Sequence, residues 1–205
     1  MSIRNIRSFV FTALFAALFI VLSIQQMKLT ISAIPITAQT FGIILAGLFL
    51  KPRYAFASIA AVIVLAAFGL PLFGGKGGIS ALLGPTGGFI FAFPFAAMLV
   101  SWSTDKLLAR PNLTENKWML FVSFFAIFEL FSSLLTYAGG VPWLKYNLDL
   151  SWAKAFAGGM LPFLPGDAVK SAIGAVIAVA MLPSVIRYRS SDQLDHGEST
   201  REIGI

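Results

Sequence analysis

Six apolar runs separated by short links constrain this chain more than any other feature. They lie at about Phe9 to Met27, Pro35 to Leu50, Tyr54 to Leu70, Gly87 to Trp102, Trp118 to Tyr137 and Phe163 to Ile186. A helix needs about 20 apolar residues to cross hydrocarbon, and a bilayer offers the backbone no water to bond with. The runs therefore predict an all-α integral membrane protein of six helices, the second and fourth short or tilted. Composition agrees: 58% of the 205 residues are hydrophobic and 12% charged, against about 25% charged in soluble domains. Residues 1–189 are expected to form one membrane domain. From 190 to 205 the string SSDQLDHGESTREIGI is polar and aperiodic, which predicts a disordered tail. The N-terminal run has the basic start of a signal peptide, but its length and the spans after it predict a retained first helix.

Basic residues in short links orient such a bundle. With both termini in the cytoplasm, Arg4, Arg7, Lys51, Arg53, Lys106, Arg110, Lys117, Arg187 and Arg189 fall inside, and Lys28, Lys76, Lys145 and Lys154 fall outside. The inner links are charged, ordinary connections. The outer ones, Leu70 to Gly88 and Ala138 to Asp167, are rich in Gly, Pro and aromatics, where backbone can close around a ligand. An outward-facing ligand cavity follows as an expectation.

Several function classes drop out. No cysteine is present and the single histidine, His196, lies in the polar tail, so thiolate metal sites and histidine-activated nucleophiles lack their parts. Neither HExxH nor GxSxG occurs, and the glycines around Lys76 do not meet the P-loop spacing. The net charge of +6 is scattered in ones and twos rather than in a stripe, which argues against nucleic acid.

The candidate site residues are the charges that remain in apolar sequence, where each costs about 2.5 to 3.5 kcal/mol on insertion scales. Asp167 and Lys170 share one helical face in GGMLPFLPGDAVK. They could hold a polar ligand, or serve as a helix-start carboxylate and its salt-bridge partner. Glu129 could relay a proton, be neutral, or pair with Lys170. The glycines from Gly74 to Gly88 suit a tight turn and a binding loop equally. Ala13 and Ala17, four apart on the first run, form a small-residue face for helix packing within the bundle or against a partner.

Four blocks then match a known pattern in order: IPITAQTFGIILAGLFLKPRYA, FGLPLFGGKGGISALLGPTGGFIFAFP, YAGGVPWL and GGMLPFLPGDAVKSAIGAVIA. The chain resembles the BioY family, the biotin-binding S components of energy-coupling factor (ECF) transporters. That resemblance implies a six-helix fold with biotin in an outward cavity. It implies substrate contacts by Asp167 and Lys170, and positions near the pocket for Gln39, Thr86 and Trp143. Phe89 stands where the family often has tyrosine. The resemblance further implies docking through the Ala13 and Ala17 face onto a transmembrane coupling protein with two ATPase subunits. ATP would be used by those partners, with no cofactor and no enzymatic activity in this chain. The expected location is the plasma membrane of a prokaryote. The alternative, motivated by Glu129, is a stand-alone proton-coupled carrier of a small solute.

Overall fold

A computed structural model of the chain describes residues 3–27, 30 and 34–190. Lys28, His196 and the tail beyond Ser190 lie outside the described residues. The helices are α1 (Ile3–Ile24), α2 (Gln39–Phe49), α3 (Pro52–Ala67), α4 (Ile79–Leu82), α5 (Gly87–Leu108), α6 (Pro111–Thr114), α7 (Lys117–Phe128), a π segment (Glu129–Leu134), α8 (Leu135–Asn147), α9 (Trp152–Gly159), α10 (Leu164–Ala180) and α11 (Leu182–Ser190). A two-residue antiparallel pair, β1 (Gln26–Met27) with β2 (Ile36–Thr37), closes the link between α1 and α2.

All six runs fold as apolar helices, so the all-α architecture holds. Among the described residues three helices are long and apolar enough to span a membrane, and a fourth is added if α9 and α10, bent by 43°, count as one span. Helices α2 and α3 occupy the second and third runs but are shorter.

The fourth run is longer than expected. Helix α5 continues to Leu108 because Ser101, Ser103 and Thr104, which mark an end in the sequence, are buried inside the bundle. Thr104 returns its hydroxyl to the Val100 carbonyl, and Ser101 bonds the Leu50 carbonyl. The fifth run also extends, through the π segment to Asn147, so the expected outer loop from Ala138 is helical for its first third. Gly139, Gly140 and Pro142 look like helix breakers, yet glycines in membrane helices admit close neighbours. A Cβ on Gly140 would lie 2.2 Å from the Phe89 ring. Gly140→Ala is therefore expected to destabilise the fold by about 1 to 3 kcal/mol by overpacking, read as a lower thermal midpoint in detergent. The sixth run breaks at Met181, where Pro183 opens α11.

Helix α5 packs against α2, α3 and α8, while α10 packs against α7 and α2. Two apolar cores result. One, around Phe19, Ile43, Phe73, Phe89, Phe93, Tyr137 and Leu144, surrounds one half of the bundle. The other, around Leu48, Val100, Leu120, Phe124, Phe128 and Ala178, fills the opposite half. Gly174 lets α10 approach α2 and α7, since a Cβ there would meet Ile44 at 2.6 Å and Phe128 at 3.2 Å.

The filled half contains a charge that the topology count treats as an ordinary inner-loop residue. Arg189 of α11 is buried, and its guanidinium donates to the carbonyls of Gly47, Leu48 and Leu50 at 2.8 to 3.1 Å. Those carbonyls close the C-terminal end of α2, where helical partners run out and the dipole favours a cation. The same group donates to the Ser101 carbonyl at 2.7 Å and to Asp105 Oδ1 at 3.0 Å, and Lys51 joins Asp105 at 3.2 Å.

Candidate functional site

The first core encloses a cavity of about 600 Å³, within the range of about 300 to 1,000 Å³ usual for small-molecule sites. Its polar end is built by three elements. Helix α10 begins at Leu164 with Pro165 in its first turn, and Asp167 follows, where the helix dipole favours an anion. Helix α2 brings Gln39 and Thr40 at its start, and α8 brings Tyr137.

These side chains form one connected network. Lys170 Nζ donates to Asp167 Oδ1 at 2.7 Å, to the Thr37 carbonyl at 2.7 Å and to Thr40 Oγ1 at 3.1 Å, which engages all three of its donors. Thr40 passes its own proton to Asp167 Oδ1 at 2.9 Å, and Tyr137 donates its hydroxyl to Asp167 Oδ2. Asp167 is 3% exposed. A carboxylate has about four acceptor positions, and the protein fills three. One remains, and Asp167 lines the cavity.

The other wall of the cavity is a glycine turn. Phe73 and Lys76 exchange backbone hydrogen bonds at 3.1 and 3.0 Å across Gly74 and Gly75, whose φ values are +59° and +77°. Both central residues of such a hairpin must be left-handed, which glycine alone adopts without strain. Gly74 N–H also bonds the Ser23 carbonyl, tying the turn to the end of α1. The segment is thus a tight turn and a cavity wall together, with Gly75, Lys76 and Gly77 lining the space. Lys76 is exposed at this rim.

Of the residues expected at the pocket, Asp167, Lys170, Gln39 and Thr86 line it. Trp143 does not. Its ring lies behind Gly87 and Gly88, where added Cβ atoms would sit 3.0 and 2.3 Å from it, and its Nε1 donates to the Gly84 carbonyl at 2.9 Å. Trp143 holds the GPTGG turn in place instead of facing the space. Ala13 and Ala17 do not line the cavity and are exposed on the outer face of α1 beside Val10, Leu14 and Val21.

Thr40, Tyr137 and Lys76 emerge as further site residues. Thr40 adjoins Gln39 in PITAQT, and Tyr137 opens the YAGGVPWL block. Apolar walls come from Phe73, Phe89, Ile90, Phe93 and Phe163. Phe89 meets Tyr137 edge to face, with ring centres 6.4 Å apart. Among the described residues no group of histidine, cysteine or carboxylate side chains has the arrangement to hold a metal ion.

A family model described as BioY family matches residues 1–187. The chain is 34% identical over 178 residues to the biotin transporter BioY of Rhizobium etli, covering 86% of this chain and 93% of that protein. It is 37% identical over 165 residues to a probable biotin transporter BioY of Pyrococcus horikoshii, covering 79% and 90%. A crystal structure of the S-component for biotin from an ECF-type ABC transporter superposes with a TM-score of 0.79 at 27% identity, covering 89% of this chain and 95% of that one.

Proposed function

The chain belongs to the BioY family, and from that membership we propose that it captures biotin as the membrane-embedded S component of an ECF-type uptake transporter. The family is one of transport components, so the chain is not an enzyme. The observation that carries the biotin assignment is the cavity with one buried, nearly saturated carboxylate at its polar end and an exposed cation at its rim.

Biotin has a neutral ureido ring at one end and a carboxylate at the other, and the site is asymmetric in the same sense. Burying a neutral polar group that finds partners is far cheaper than burying a second anion beside Asp167. Lys170 has no donor left to compensate one. The ureido ring therefore goes to the Asp167 end, where an N–H takes the remaining acceptor position. Gln39 lies within the same end. The thiophane ring and aliphatic chain lie along the phenylalanine walls, and the carboxylate reaches Lys76.

Equilibrium titration of the purified protein in the absence of ATP tests both parts. Lys76→Met is expected to weaken biotin binding by about threefold, as for an exposed ion pair, while binding of biotin methyl ester stays unchanged. Equal weakening for both ligands would reverse the orientation. No biotin binding by the unaltered protein would overturn the assignment.

The remaining expectations extend this proposal. Residues 1–189 act as one membrane unit, supported by α11 fastening α2. Both termini face the cytoplasm of a prokaryotic cell and the cavity faces outward. The exposed Ala13 and Ala17 face of α1 is the docking surface for a transmembrane coupling protein, whose two ATPase partners use the ATP.

A further inference from the structure

Within the 31-residue helix from Lys117 to Asn147, six residues are wound as a π-helix, Glu129 to Leu134. The Leu135 N–H bonds the Leu130 carbonyl, five residues back. Such windings are rare and cost hydrogen-bond quality, and they are concentrated at functional sites. The consequence here is one of phase. In an unbroken α-helix the eight residues from Glu129 to Tyr137 would leave the two about 80° apart around the axis. A π turn accommodates about one extra residue and so removes about 100° of rotation, which brings the two within about 20° of one face.

That face meets α10. Tyr137 bonds Asp167, and Glu129 Oε2 accepts from Ser171 Oγ at 2.7 Å. Asp167 and Ser171 are one turn apart on α10, with Lys170 between them. The charged groups facing Glu129 are Asp167 and Lys170. The buried hydroxyl of Thr136 donates to the Ser132 and Ser133 carbonyls, at 3.2 and 2.7 Å, and so supports the winding from inside.

We infer that Glu129 is a positioning residue for the substrate pair: delivered by the π segment, its hydrogen bond to Ser171 fixes the rotation of α10 that aims Asp167 and Lys170 into the cavity. The contact involves no cavity-lining atom of Glu129 itself, which is absent from the lining residues. The inference rests on the biotin-capture proposal for its functional reading, and its test separates the two.

Biotin affinity is measured for Glu129→Ala, Ser171→Ala, the pair together and Glu129→Gln. Each alanine variant is expected to lose about fivefold, and the double variant no more than either alone, because both remove one shared bond. Glu129→Gln keeps an acceptor for Ser171 and is expected to retain the original affinity. Additive losses, unchanged affinity in either alanine variant, or failure of glutamine to rescue would overturn the inference. A second measurement needs no biotin. Acylation of Lys170 by an amine-reactive ester in the ligand-free protein should rise in both alanine variants and not in Glu129→Gln, and equal labelling throughout would overturn the inference. If the unaltered protein failed to bind biotin while this labelling pattern held, the biotin proposal alone would fall.

Discussion

Replacing Arg189 with methionine is expected to destabilise the protein by about 2 to 6 kcal/mol, the cost of leaving two buried carbonyl acceptors unsatisfied. The substitution keeps an apolar stem of similar reach, so the loss falls on the guanidinium. Its donors to the Gly47, Leu48, Leu50 and Ser101 carbonyls disappear together with the pairing to Asp105. The Gly47 and Leu48 carbonyls lose their side-chain donor in a buried setting, while Leu50 keeps the Ser101 hydroxyl, and a buried unsatisfied acceptor costs about 1 to 3 kcal/mol. Thermal unfolding in detergent checks this as a large drop in midpoint. Arg187→Met, two residues away on the opposite side of the same helix, is expected to change little, because Arg187 is exposed. Equal midpoints for the two variants would show that α11 does not hold α2.

The second large effect belongs to Asp167. Its alanine variant removes the acceptor for Lys170, Thr40 and Tyr137 at once. Three donors, one of them cationic, are then turned toward the cavity without the carboxylate that organised them. A ligand that donates its N–H to that position loses its partner, and a ligand that would bind the vacated cation is a different molecule. Biotin affinity is expected to fall at least tenfold, about 1.4 kcal/mol. Asp167→Asn separates the contributions, since it preserves shape and one acceptor oxygen but leaves the Lys170 charge without a counter-ion. It is expected to fall between the parent and the alanine variant in a biotin titration, and parental affinity in both variants would remove Asp167 from the site.

These two residues also show what a sequence of this kind makes legible. Asp167 is conspicuous because a carboxylate in an apolar run is costly, and its partner stands three positions away at helical spacing. Gln39 and Thr86, which line the cavity, are legible only through the motifs that carry them. Tyr137 and Thr40 carry no such signal: a tyrosine in an apolar run is ordinary, and its hydroxyl finds Asp167 only through contact between α8 and α10. Arg189 looks like one more positive-inside residue, since sequence records that a cation lies near a helix end but not that the end is folded back into the bundle. The π segment is least legible, because π and α windings differ by one residue per turn and the apolar pattern tolerates either. The role of Trp143 is hidden for a related reason: the motif brings it near the pocket, and only the packing shows that glycines at positions 87 and 88 take its ring behind the wall.

Helix α2 carries Gln39 and Thr40 at one end and is gripped by Arg189 at the other. Eleven residues of helix span about 16 Å, so one short rod has its head in the ligand chamber and its foot in the grasp of α11. A chain ending at Ala180 would retain every residue that lines the chamber and yet lose the anchorage of one of its walls. Trimming guided by cavity contacts alone would therefore remove Arg189 and the support it gives to α2.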